Sequence, residues 1–168
     1  MTESNSEYYC DTCAMIGRWH RTPPSFHAAE DLLVRMREFQ IRRALVLHSI
    51  AWLHDFRRGN EELDREIDGR PELIPCYAVI PFTTGEMPGP EYWNQRIRAG
   101  EFAWRIFPKS HNFMLHGPRT DDLFGYAEER CLPVLVDIDE IDYRDLWQLC
   151  RARPKLRLII GNSGTNAA

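Results

Sequence analysis

The sequence has no apolar run approaching the ~18 residues a membrane-spanning helix needs, so no membrane partner is expected. It has no basic excess either. Lys and Arg number 21 against 25 Asp and Glu, which gives a net charge of −4 and a pI near 5.9. Phosphate backbones want a basic face, so nucleic acid is not an expected partner. The opening stretch, MTESNSEYYC, lacks the basic-then-apolar order of a secretory signal. Cysteines number five, an odd count that does not suit a disulfide framework. A reduced, cytoplasmic chain is the resulting expectation. Low-complexity stretches and linkers are also missing, so residues 1–168 read as one domain.

What the sequence does have is a recurring short apolar run. The runs are Tyr8–Ala14, Ala44–His48, Leu73–Ile80, Phe102–Phe107, Pro133–Ile138 and Leu156–Ile160. Segments such as ALVL and LRLII are nearly continuous apolar runs, as strands buried on both faces are. Most starts lie roughly thirty residues apart, the length of one strand–crossover–strand unit. Helical spacing fills the gaps. Ala29, Leu32, Leu33 and Met36 recur at helical intervals behind a candidate N-cap at Ser25, and Asn60 could cap a helix carrying Leu63 and Ile67. Thr120 precedes DDLFGYAEER, and Asp142 precedes YRDLWQLCRAR, each with charges that suit the helix dipole. Between the third and fourth strands only Glu91–Ala99 is left for a helix.

Alternating strands and helices define an α/β fold with a parallel sheet. A doubly wound nucleotide-binding sheet would carry a Gly-rich loop after its first strand. The segment CAMIGRWHRTPP has one Gly and no G-x-G-x-x-G. A (β/α) barrel of TIM type fits the spacing better, but such barrels typically need about 250 residues. The expectation is therefore an incomplete barrel of about six strands and five helices, and a truncated gene. Strand edges left open would also favour self-association.

In parallel barrels, ligands meet the loops at the carboxyl ends of the strands. Arg18, Trp19 and His20 follow strand 1; His48 ends strand 2, with His54 beyond it; Lys109, His111 and His116 follow strand 4. Asp137 and Asp139 close strand 5, and Asn162 follows strand 6. The pair Cys10-x-x-Cys13 has no second C-x-x-C to complete a zinc site, and strict alternation puts its members on opposite strand faces. Two packed thiols is the preferred reading. Asp11 and Cys13, two apart, are expected to share a face, a spacing at which a first strand can grasp a metal.

Taken together, DTCAMIGRW, LLVRMREFQIRRALVLH, NEELDREIDGRPELIPCYAVIP, WRIFPKSHNF, CLPVLVDIDE and RPKLRLIIGNSG resemble the amidohydrolase superfamily. The likeness is to its amidohydrolase-related branch of hydrolases and non-oxidative decarboxylases, and it covers nearly the whole chain. The resemblance implies the N-terminal three-quarters of a barrel with a metal site at its carboxyl end. In that family the ligands are a His-x-His on strand 1, a group on strand 4, a His on each of strands 5 and 6, and an Asp on strand 8. Here those positions hold Asp11 and Cys13, Arg105, Asp137 and Asn162, and strand 8 has no counterpart. Because the ligand histidines are replaced, no cofactor is expected, with a divalent metal such as zinc as the alternative. The resulting expectation is a hydrolase, or related lyase, acting on a small carboxylate-bearing ester, lactone or amide. Arg105 and Lys109 would bind the substrate carboxylate, with Trp19 and Asn162 lining the site. Asp137 would be the general base, and His48 or His111 the general acid. A non-catalytic scaffold or inactive fragment is the alternative.

Overall fold

A computed structural model describes residues 8–18 and 26–162. Trp19, His20 and Ser25 lie outside that set. Six parallel strands run in sequence order: β1 (Tyr9–Ile16), β2 (Ile41–His48), β3 (Leu73–Ala78), β4 (Ala103–Arg105), β5 (Pro133–Asp137) and β6 (Arg157–Gly161). Each neighbour pair is parallel, the arrangement of a barrel that curls without closing. The expected incomplete TIM-type barrel is what forms.

Six helices connect the strands: α1 (Ala29–Glu38), α2 (Ser49–Leu53), α3 (Phe56–Ile67), α4 (Pro90–Ala99), α5 (Asp121–Glu129) and α6 (Tyr143–Ala152). The count exceeds the expected five because the β2–β3 connection splits in two. Asp55 starts α3, its Oδ1 accepting from the Arg58 N–H at 3.0 Å. Asn60, expected as the cap, instead lies within α3 and bonds both backbone groups of Ala78 at the end of β3. Asp142 caps α6 as expected, accepting from the Arg144 N–H. Thr120 precedes α5 without capping it, because its hydroxyl donates back to the Gly117 carbonyl. Pro90 opens α4, where a missing N–H costs nothing.

Strand alternation sorts the core into two layers. Ile16, Val46, Tyr77, Trp104, Val134 and Val136 face the helices and pack with Leu33, Met36, Trp93 and Tyr126. Trp104 stacks on Tyr126 and meets the edge of Trp93. On the inner face Cys76, Ala103 and Leu135 cluster with Leu45. Above them lie Leu47, Ala78 and Phe107, with Met15 and Trp52 against them.

Strand β1 breaks the alternation, and this overturns two expectations. Asp11 lies opposite Ala44 and Ala14 opposite Val46, so β1 spends three residue steps where β2 spends two. The extra residue resets the faces. Cys10 pairs with Arg43 on the inner side, and Cys13 also reaches that side, with its sulfur against Arg105. The two thiols therefore share a face. Asp11 aligns with Ala44 of the helix-side core, and its Oδ1 accepts from the Cys13 N–H at 2.8 Å. Asp11 and Cys13 do not form the same-face pair that simple alternation implied.

Candidate functional site

The inner face carries one buried ion pair at the carboxyl ends of adjacent strands. Arg105 ends β4 and Asp137 ends β5; they are 5% and 4% exposed. The Arg105 Nη2 group donates to both Asp137 oxygens, at 2.8 and 2.6 Å. Its Nη1 group points at the Cys13 sulfur, 3.4 Å away, and the guanidinium lies 5.6 Å from the centre of the Phe107 ring. Its Nε–H is buried with no acceptor. Burial opposes the Arg105 charge, but the Cys13 and Asp137 groups outweigh it and raise the arginine's pKa. A permanent cation is thereby fixed on the inner wall. Burial pushes the nearby Cys76 thiol up to about 12, so it stays protonated.

The backbone makes room for this pair. Asp137 pairs in register with Gly161 of β6, and a Cβ there would stand 2.5 Å from Asp137 Oδ1. The next residue, Asn162, is exposed and takes a left-handed conformation (φ +55) that Asn tolerates better than most residues.

On the rim, a second carboxylate that the sequence did not single out ties two loops together. Glu140, 7% exposed, accepts from the N–H groups of Lys109 and Ser110 and from the Ser110 hydroxyl. Trp52 Nε1–H in turn donates to Ser110 Oγ. Lys109 places its ammonium on the Asp139 carbonyl. His111 sits edge-on to Phe107, the ring that the Arg105 guanidinium also faces. Its Nε2 lies 3.1 Å from the Trp52 carbonyl, which requires the proton on that nitrogen, and Nδ1 is buried without a partner. Burial lowers its pKa, so the ring is neutral near pH 7 and offers a lone pair.

His48 is not part of this group. It pairs in register with Ile16, whose side chain belongs to the helix-side core, and it turns away from Arg105 and Asp137. Of the sequence-derived site, then, Arg105, Asp137 and Cys13 meet on the inner face, with Lys109 and His111 in the loop after β4 and Asn162 following β6. His48 and the Asp11 carboxylate do not join them, and Trp19 lies outside the described residues.

Among the described residues no three His, Cys, Asp or Glu side chains converge on a point that could hold an ion. Both oxygens of Asp137 already accept from Arg105.

No family model matches the sequence, and no curated protein sequence does. Solved structures do match in shape. One is a probable 2-pyrone-4,6-dicarboxylic acid hydrolase of Acinetobacter baumannii with citric acid bound: 12% identity, TM-score 0.62, covering 92% of this chain and 57% of that one. A 2,6-dihydroxybenzoate decarboxylase from Rhizobium has 12% identity and TM-score 0.62, covering 92% and 66%. An amidohydrolase of Mycobacterium avium subsp. paratuberculosis has 16% identity and TM-score 0.59, covering 85% and 50%. The chain has the fold of amidohydrolase-type barrels. It spans about half to two-thirds of the length of these neighbours. The fold agrees with the resemblance read from the motifs.

Proposed function

We propose that the inner face of this barrel acts on a small carboxylate-bearing ester, lactone or amide, or performs a related lyase reaction, through the Arg105–Asp137 pair rather than a metal centre. The observation that carries the reading is that pair: a fixed cation and a carboxylate, buried together at the strand ends where barrel enzymes bind ligands. Arg105 still has a buried Nε–H without an acceptor and an Nη1 group whose acceptor is a soft sulfur. A substrate carboxylate offers those donors a stronger partner. Lys109 adds positive charge at the rim, Asn162 an amide at the end of β6, and His111 a neutral lone pair above Phe107. Asp137, once Arg105 turns toward substrate, acts as general base toward water. Two structural neighbours hold small carboxylates of this class: citric acid in one, 2,6-dihydroxybenzoate in another.

One observation favours a second reading. Arg105 and Asp137 already satisfy much of each other's bonding, as a purely structural pair in a non-catalytic scaffold would. The discriminating experiment is a panel of lactones and aryl carboxylates, assayed with and without a strong chelator. Turnover that survives chelation supports the proposal. Turnover that requires added metal overturns it, and saturable binding without turnover establishes the scaffold.

A further inference from the structure

Outside the inner face, the carboxyl ends of β1 and β2 frame a cavity of about 550 Å³ whose lining includes two arginines, three histidines and a serine. His48 is buried in its wall, at 7% exposure, beside Ser49 at 1%. The Ile50 N–H donates to His48 Nδ1 at 3.2 Å, so in the neutral ring the proton resides on Nε2. Burial lowers the His48 pKa against the opposing influence of Glu62 and Glu66, which keeps that tautomer in place near pH 7.

Gly17, in a left-handed turn at φ +90, packs directly on this ring. A Cβ there would lie 2.8 Å from His48 Cε1, 3.1 Å from Nε2 and 2.5 Å from Ser49 Oγ. The imidazole edge and the Ser49 hydroxyl thus meet the cavity wall. Arg18 and Arg58 also line it, and neither guanidinium has a carboxylate partner among the described residues. His27 and His54 complete the donor-rich lining. The one carboxylate in the wall, Asp55, already accepts from the Arg58 N–H at the start of α3.

Two guanidiniums without a carboxylate partner among the described residues, an oriented imidazole N–H and a buried hydroxyl form a setting that favours an oxyanion, against the opposing field of Glu62 and Glu66 at His48. We propose that this cavity is an oxyanion-binding site, taking a phosphate or carboxylate group of a small ligand, with His48 and Ser49 as its buried donors and Arg18 and Arg58 as its charges. It is separate from the Arg105–Asp137 pair and stands or falls independently of the function proposed for that pair. His48 would then be a ligand-orienting donor, without a proton-transfer role.

The test is a titration of the full chain with inorganic phosphate and, in a second arm, citrate, following the imidazole resonances by NMR. Saturable binding that shifts His48 is expected with at least one anion. Tighter phosphate binding assigns a phosphoryl ligand and tighter citrate binding a carboxylate one. The exposed double variant Arg18→Gln/Arg58→Gln, with circular dichroism confirming its fold, is expected to weaken binding at least ~10-fold. Arg144→Gln, an equal change of charge on exposed α6, is expected to leave it unchanged. No saturable His48 shift with either anion overturns the proposal, as does an equal loss in the Arg144 variant.

Discussion

Arg105 holds both carboxylate oxygens of Asp137 from a single Nη2 group, 2.8 and 2.6 Å away, on the inner wall of an unclosed parallel barrel. Neither charge has access to enough water to stand alone. Removing one partner, as in Arg105→Met, leaves a buried carboxylate uncompensated and is expected to cost about 3–5 kcal/mol. Replacing both with apolar residues, Arg105→Met with Asp137→Leu, should restore most of that. Urea denaturation of the single and double variants measures the difference. A double variant as unstable as the single one would show that the pair's burial is not the cause.

Gly161 gives the carboxylate its space. In Gly161→Ala the new methyl would stand 2.5 Å from Asp137 Oδ1. Either the aspartate or the strand must shift, and a cost of about 1–3 kcal/mol is expected. Gly59 makes a parallel case inside α3, where a Cβ would lie 2.1 Å from the Ala51 backbone nitrogen. Gly59→Ala should destabilise although alanine is the better helix former by about 1 kcal/mol. Thermal unfolding of both variants checks this; a stabilised Gly59→Ala would mean that α2 and α3 do not approach so closely.

How the chain distributes its protons should appear in its pH dependence. Burial lowers the pKa of His48 and of His111 below the ordinary 6.5. As pH falls through 6.5 toward the folded values, the unfolded chain takes up protons that the folded chain resists. Stability is therefore present above 6.5 and lost on acidification. Urea midpoints at about pH 7.5 and about pH 5.5 should fall for the native sequence. They should fall less for a His48→Asn/His111→Gln variant. Equal slopes would remove both histidines from the account.

Thiol accessibility separates the five cysteines. Cys76 is buried, with its pKa raised to about 12, whereas Cys10, Cys13, Cys131 and Cys150 are exposed. Alkylation of the native protein should modify those four and spare Cys76 until the chain unfolds. Peptide mass spectrometry reads the sites directly. Early labelling of Cys76 would mean that the inner face opens readily.

The strands were legible because their apolar runs are short and regularly spaced, and all six appear where those runs lie; both-sided burial holds for ALVL but not for LRLII, whose Ile159 and Ile160 are exposed. The bulge in β1 was not. Nothing in D-T-C-A announces an extra residue, yet it moves Cys10 and Cys13 onto one face and takes Asp11 off it. The direction of His48 follows from register with Ile16, a long-range pairing that local pattern does not encode. Arg105 and Asp137 could be anticipated as neighbours because each ends one of two adjacent strands. Glu140 could not: its part depends on the Lys109–Ser110 turn folding over it. An acid two residues beyond Ile138 in I-D-E was the only signal available.

The central claim is that Asp137 does chemistry beside Arg105 rather than only packing against it. Its most direct test is turnover by Asp137→Asn on whichever lactone or aryl carboxylate the native chain processes, with circular dichroism confirming that the variant is folded. The substitution keeps the shape and removes the base, so turnover should drop about 100-fold or more. A folded Asp137→Asn protein with unchanged turnover would contradict the account.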